Sequence, residues 1–155
     1  MPRSLVVLAL AFGACIPALV NHPVQFASPM AGDGAIDAIT RSLAVNGQTV
    51  AMADRQVGIV QTRWENTGFG YGFVGATSAP AVIWRRYTIV IGPAASGVTL
   101  TVRADTQRCV QGLTTTDGVN LIGECTTLYA EGLVPEHQAA LESLGAQLKQ
   151  ALGGS

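Results

Sequence analysis

The chain has 155 residues, of which 48% are hydrophobic and 12% are charged, and this balance excludes a disordered protein. The formal net charge of −1 gives no electrostatic basis for binding nucleic acid, and no run of Lys or Arg would hold the chain on an anionic membrane surface. The length suits one domain with one hydrophobic core.

The first residues have the pattern of a secretory signal peptide. Arg3 supplies the positive charge, Leu5 to Phe12 form the apolar segment, and Gly13-Ala14 are the small residues that precede a cleavage site. The apolar segment is too short to remain as a membrane span, which needs ~20 apolar residues. We therefore predict that residues 1–14 are removed as a signal peptide.

Cys15 directly follows these small residues. The sequence FGAC at 12–15 resembles the lipobox of bacterial lipoproteins, in which the cysteine is lipidated on its sulfur and then acylated on its amino group. The resemblance implies a lipid anchor such as palmitate at Cys15, and Ile16 implies sorting to the outer membrane, on its periplasmic side. Acyl chains contribute ~0.8 kcal/mol per buried CH₂ and anchor the protein without help from charge. The alternative is an ordinary signal peptide, cut at Ala14 or Ala18, with an incidental cysteine.

The segment 15–32 carries Pro17, Pro23 and Pro29, has few charges and shows no helical or strand period. We predict that it is a Pro-rich tether between the lipid and a single α+β domain at 33–155. His22 lies in this segment, and we assign no role to it.

The predicted domain opens with a helix. Asp33 is a candidate N-cap, and Asn46-Gly47 provide a C-terminal stop. The apolar residues between them repeat at helical spacing, so one face of this helix should pack against the rest of the domain. The residues of this stripe are Ala35, Ile36, Ala38, Ile39 and Leu43.

Two short strands are predicted next, from Thr49 to Ala53 and from Ile59 to Trp64, with a turn at 54–58. In the second strand the residues alternate between two faces. Val60, Thr62 and Trp64 share one face, and the residues between them share the other. The sequence does not decide which face is buried.

The Gly-rich segment from Gly68 to Pro80 is predicted to interrupt the sheet as a loop. Residues 70–75 match G-x-G-x-x-G, but a dinucleotide site needs a helix directly afterwards to place its amides on the phosphates. Another strand follows instead, so we exclude nucleotide binding. The segment is either a mobile loop or an aromatic contact loop. The aromatic residues of such a loop are Phe69, Tyr71 and Phe73.

A β-hairpin forms the centre of the predicted domain. Its strands run from Ile83 to Ile91 and from Val98 to Asp105, and residues 92–97 supply the turn. Alternation places one side of each strand against the helices and the other side outward. A Trp flanked by Arg is typical of interface hot spots, so we predict partner binding on the outward side. The candidate residues are Trp84, Arg86, Thr88, Thr99, Thr101 and Arg103.

An alternative explanation of Trp84 is that the segment from Gly68 to Pro80 folds over it and covers this face of the sheet. In that case Trp84 would stabilise its own domain rather than contact a partner.

Cys109 and Cys125 remain as a pair once Cys15 carries lipid, and we predict a disulfide bond between them in an oxidising compartment. The bond would close a 15-residue excursion and contribute ~3 kcal/mol by chain entropy. A zinc site built from these two cysteines and His137 would be one ligand short, so we predict no metal site.

The last predicted element is a helix that starts near Pro135 and ends at Gly153-Gly154. Burial of each Leu in its apolar stripe stabilises the fold by ~1.5–3 kcal/mol, so we expect this face to be packed away from water. The stripe consists of Leu141, Leu144, Leu148 and Leu152. We predict that His137 in the first turn is exposed. With no third residue to orient either His and no paired carboxylates, we predict no catalytic residues and no cofactor.

The predicted order is helix, four antiparallel strands, helix, with both helices on one face of the sheet. With the lipobox and tether, and with residues 58–64 and 84–87 at strand ends, the chain resembles the helix-grip domains of small outer-membrane assembly lipoproteins. The resemblance implies a non-enzymatic, lipid-anchored envelope protein that binds another protein. The alternative is a carrier of a lipid or other apolar ligand in the groove between helix and sheet.

Overall fold

The computed structural model describes residues 22–74, 77–114, 120–127 and 135–154. These residues form two helices and one antiparallel sheet of seven strands. The predicted α+β class is confirmed, but the sheet has more strands than the four that were predicted. The elements are β1 (Val24–Ser28), α1 (Gly32–Val45), β2 (Val50–Asp54), β3 (Ile59–Thr62), β4 (Glu65–Val74), β5 (Thr77–Pro93), β6 (Val98–Thr114), β7 (Asn120–Thr127) and α2 (Pro135–Ala151).

The hairpin of β5 and β6 forms the centre of the sheet, as predicted, but its strands are 17 residues each and longer than the sequence suggested. Because they are so long, each has two neighbours in succession along its outer edge. Near the hairpin turn the strand order is β1-β6-β5-β3-β2, and at the far end β4 pairs with β5 and β7 pairs with β6.

One hydrophobic core lies between the two helices and one face of the sheet, which we call the covered face. Tyr87, Ile89, Leu100 and Val102 point into it from β5 and β6 and are at most 3% exposed. Both predicted helical stripes are confirmed, since their residues join this core. Those at most 5% exposed are Ala35, Ile36, Ile39, Leu43, Leu141, Leu144, Leu148 and Leu152.

The predicted C-terminal end of α1 is confirmed, but its predicted N-cap is wrong. The stop is confirmed, since Asn46 is the C-cap and Gly47 follows with a positive φ of 76°. The N-cap is Ala31 and makes no side-chain cap bond, so the assignment of Asp33 as cap is wrong. Asp33 lies in the first turn instead, where a negative charge stabilises the helix dipole.

The interpretation of 15–32 as an irregular tether is wrong from Val24 onward. β1 pairs with β6, and Phe26 from β1 is only 7% exposed within the core. Ser28 at its end is buried, and its hydroxyl donates a hydrogen bond to the Leu152 carbonyl at 2.9 Å. A five-residue strand bracketed by Pro23 and Pro29 is too short to show a period, which explains the error. Residues 15–21, like the signal peptide at 1–14, lie outside the described residues.

The interpretation of Gly68 to Pro80 as a loop is also wrong. Residues 68–74 belong to β4 and residues 77–80 to β5, and the two strands pair from Gly68↔Ile83 to Val74↔Thr77. Glycines at 68, 70 and 72 alternate with aromatic residues, so the pattern has the period of a strand, but glycine is also the usual signal for a turn. An aromatic contact loop is therefore excluded here, and residues 75–76 lie outside the described part of the chain.

The predicted disulfide bond between Cys109 and Cys125 is present. The two cysteines are directly opposite each other on β6 and β7, so the bond fastens an edge strand to the central hairpin. The predicted excursion thus returns along the sheet as β7, although residues 115–119 within it lie outside the description.

The close approach of α2 to β1 gives a test of the packing. A Cβ at Gly145 would lie 2.6 Å from Val24 Cγ1, whereas a Cβ at Gly34 in α1 would have nothing within 4 Å. Gly145→Ala should therefore lower the free energy of unfolding by about 1–3 kcal/mol through overpacking. Gly34→Ala should raise it by about 0.5–1 kcal/mol, because alanine favours the helix. Urea unfolding of both variants checks this. Equal stabilisation by both changes would show that α2 does not approach β1 closely.

Candidate functional site

The sheet side opposite the helices, which we call the outer face, carries all six residues predicted to bind a partner. The register pairs Trp84 with Gln107, Arg86 with Asp105 and Thr88 with Arg103, and paired residues share a face. Thr101 and Thr99 continue this face toward the turn, opposite Val90 and Gly92. Both helices pack on the covered face, so the alternation that the sequence predicted is confirmed.

The six residues differ in exposure. Thr99 and Arg103 are exposed, and Trp84, Arg86 and Thr101 are half-buried. Thr88 is only 7% exposed, so its predicted role in direct partner contact is wrong. The Gln61 side chain from β3 lies beside it and donates from Nε2 to Thr88 Oγ1 at 3.0 Å. Thr88 therefore supports its neighbours rather than offering a contact.

Arg86 is held in place by three side chains around it. Its guanidinium carbon lies 4.6 Å from the centre of the Trp64 ring, and its Nε donates to Asp105 Oδ2 at 2.9 Å. Nη1 also donates to Gln61 Oε1 at 3.4 Å. The ion pair is partly exposed and contributes at most about 1 kcal/mol to stability. Its main effect is to fix the plane of the guanidinium.

The sequence interpretation missed Trp64, Asp105 and Gln61 as parts of this site. It left open which face of β3 is buried, and the structure places Val60 and Thr62 in the core. Because β3 ends at Thr62, Trp64 lies beyond the strand and stacks with Arg86 on the outer face. Asp105 could have been found from the sequence by aligning the two strands of the hairpin, because their pairing places Asp105 opposite Arg86.

Trp84 is half-buried on the outer face between Asn66 of β4 and Gln107 of β6. The alternative explanation, in which the segment from Gly68 to Pro80 folds over Trp84 as a loop, is wrong. The described residues of that segment are strand residues of the sheet, beside Trp84. Part of the indole thus remains available at the surface.

The covered face carries a second group of polar residues beyond the apolar core. Arg85 lies on this face, with its guanidinium carbon 5.1 Å from the centre of the Tyr87 ring. Burial raises the pKa of the Tyr87 hydroxyl; the charge of Arg85 lowers it and Glu65 raises it further. The charge of Arg85 also acts on His137 in the first turn of α2.

His137 is only 9% exposed, so the prediction that it faces solvent is wrong. It precedes Leu141 by four residues and therefore continues the apolar stripe of α2 toward its first turn. Burial lowers the pKa of the imidazole, the positive charge of Arg85 lowers it further, and Glu136 opposes both effects. His137 is therefore favoured in its neutral form.

Two clefts that are lined by described residues adjoin the helices. One of about 210 Å³ lies between the end of α1 and the middle of α2. It is lined by Asn46, Gln48, Tyr87, Ala140, Ser143, Leu144 and Gln147. The other, of about 440 Å³, lies beside the hairpin turn and the start of α1 and includes Arg55 and Asp33. In the described part of the chain no group of three or more His, Cys, Asp or Glu residues is arranged to hold a metal ion.

Comparison with known proteins assigns no family. No protein-family model matches the chain, and no curated protein matches it. Among solved structures it is similar to a DUF4468 family protein from Bacteroides ovatus ATCC 8483, with a TM-score of 0.41, 10% sequence identity and 86% of each chain covered. A likeness at this level supports no inference about this chain.

The environment of His137 predicts a pH dependence of stability. Because the pKa is lowered from 6.5 in the folded protein, the unfolded chain binds this proton at higher pH than the folded chain does. The free energy of unfolding should fall as the pH decreases below 6.5 toward the folded-state pKa, by no more than about 1.4 kcal/mol per pH unit. Denaturant unfolding between pH 7.5 and pH 5, roughly the range in which histidine titrates, measures this slope.

His137→Gln should flatten the slope, and His22→Gln, a change to an exposed histidine, is the control that should keep it. An unchanged slope in His137→Gln would contradict the assignment.

Proposed function

We propose that this chain is a non-enzymatic, lipid-anchored protein of the bacterial outer membrane that binds another envelope protein through its outer face. The observation that carries the proposal is the fixed guanidinium of Arg86, stacked on Trp64 beside the half-exposed Trp84. Two helices on one side of an antiparallel sheet fit a helix-grip-like arrangement, here with seven strands.

The outer face has the chemistry of a protein-binding surface. Trp and Arg are the residues most enriched at interface hot spots, because both combine large contact area with directed hydrogen bonds. The bonds to Asp105 and Gln61 already immobilise Arg86, so little further side-chain entropy is lost when a partner binds.

Charge indicates which partner surface would fit. Arg103 is exposed and forms no ion pair with a carboxylate in the described part of the chain. Arg86 is already paired with Asp105, so the complementary partner presents an acidic side chain near Arg103 and an apolar group that packs against Trp84. A rim charge of this kind mainly steers association, and the stacked centre supplies affinity.

The disulfide bond supports location outside the cytoplasm, because such bonds persist in oxidising compartments. The amide of His22 donates to Gln138 Oε1 at 3.0 Å, so the chain is attached to α2 from this residue onward. Cys15 and His22 are seven positions apart, with six residues between them. At the extended spacing of ~3.5 Å per residue, the domain surface at His22 stays within about 25 Å of a lipidated Cys15.

The apolar-carrier alternative has less support. Fully buried leucines of α2 fill the space between that helix and the sheet, and the cleft beside Tyr87 has only about 210 Å³ and several polar lining residues. The cleft of about 440 Å³ lies beside the hairpin turn and not between α2 and the sheet, and its lining includes the charged residues Asp33 and Arg55. Sites for drug-sized apolar ligands are typically larger and mostly hydrophobic.

Within the described residues no helix has the length and hydropathy to cross a membrane.

The binding proposal is tested by Arg103→Glu, which reverses one exposed charge without removing a contact of the core. Crosslinking in intact cells should recover the partner of the wild type at least about tenfold more efficiently than that of the variant, as expected when a charge in an interface is reversed. The control is Arg41→Glu, an equal charge change at an exposed position of α1. Equal recovery by both variants would refute binding at the outer face.

Anchoring is tested by Cys15→Ala. The variant should leave the membrane fraction and incorporate no labelled palmitate, because three acyl chains would be lost. Its circular dichroism should match that of the wild-type domain. A wild-type protein that takes up no labelled fatty acid would contradict the anchor without affecting the outer-face proposal.

A further inference from the structure

Among the described residues, Gln48 Oε1 beyond the end of α1 and three polar atoms on the covered face lack hydrogen-bond partners although they are shielded from solvent. The three on the covered face can all donate a hydrogen bond. They are Arg85 Nε, Thr106 Oγ1 and His137 Nδ1. Thr106 is 2% exposed and His137 is 9% exposed. Buried polar atoms are nearly always paired with protein, water or a ligand, because leaving one unpaired is costly.

The three atoms belong to one place in the fold. Arg85 and Thr106 are directly opposite each other on β5 and β6, so their side chains share the covered face. His137 packs on the same face from the first turn of α2, and the charge of Arg85 acts on its imidazole. Tyr87, the next residue of β5 on this face, lies against the Arg85 guanidinium.

The charge around Arg85 is mixed, because Glu65 acts on Tyr87 and Glu136 acts on His137. Glu65 is the cross-strand partner of Arg85, yet no carboxylate of the described residues forms an ion pair with Arg85. A partly buried guanidinium without a counter-ion is unfavourable. The N-terminal turn of α2 adds partial positive charge on the same side.

We propose that Arg85, Thr106 and His137 form a binding site for a small oxyanion, either a carboxylate or a phosphate group. All three side chains can donate a hydrogen bond, His137 through the tautomer with a proton on Nδ1. An oxyanion accepts all three bonds and neutralises the guanidinium, whereas a water molecule supplies no charge.

The test follows the Arg85 Nε–H and the His137 imidazole by NMR in the ¹⁵N-labelled mature chain. Inorganic phosphate and acetate are titrated separately, which distinguishes the two oxyanions. A saturable shift of both signals with either anion, while the Arg86 Nε–H signal stays constant, supports the site. No saturable shift with either anion would overturn it and leave only ordered water as the partner of these atoms.

Thr106→Val is the main variant, because it keeps the shape of the side chain and removes only the unpaired hydroxyl. It should weaken binding of the effective anion at least about tenfold, the effect of losing one charge-assisted hydrogen bond. Arg85→Gln should abolish binding and provides a second variant if the first fails to fold. Unchanged affinity in either folded variant would overturn the proposal.

The protein-binding proposal for the outer face and the oxyanion proposal for the covered face are tested independently of each other. Arg103→Glu should retain anion binding while it loses the protein partner, and Thr106→Val should behave in the opposite way.

Discussion

The pairing of β5 with β6 is the constraint on which the rest of the structure depends. Their register runs without a break from Ala81↔Val110 to Pro93↔Val98. A slip of one residue would move every core side chain to the wrong face. Gly97 closes the turn with a φ of 90°, and a side chain there would collide with the backbone of Ser28, so the same turn positions β1. Both helices and four further strands are then placed by contact with this hairpin.

Two consecutive arginines show what this register does. Arg86 on the outer face is stacked on Trp64 and paired with Asp105, so its charge is compensated and its position fixed. Arg85 on the covered face contacts Tyr87, yet its buried Nε has no hydrogen-bond partner in the part of the chain that the structure describes. In our two proposals, one arginine therefore belongs to a protein-binding surface and the next to an oxyanion site. Neither role depends on the other, because the sheet separates them.

Long and uninterrupted patterns were predictable from the sequence. The hairpin and the two apolar helix faces follow from residue spacing, and the disulfide bond was predicted from the pair of cysteines that remains once Cys15 is assigned to lipid. β1 was missed because prolines bracket five residues, and β4 because its alternating glycines also signal turns. His137 was misplaced although it lies four residues before Leu141 on the same stripe. Trp64 was beyond prediction because the end of β3, and hence the face it reaches, depends on tertiary packing.

The central claim is that adjacent residues of the hairpin face a covered side and an open side. Cysteine accessibility at neighbouring positions of β6 tests it most directly, in a chain that carries Cys15→Ala and keeps the disulfide bond. Val102 is fully buried and Arg103 is exposed. Under native conditions, Arg103→Cys should react with a maleimide nearly as fast as the unfolded protein, and Val102→Cys only when the protein unfolds. Equal native rates at the two positions, or protection of Arg103→Cys, would contradict the account.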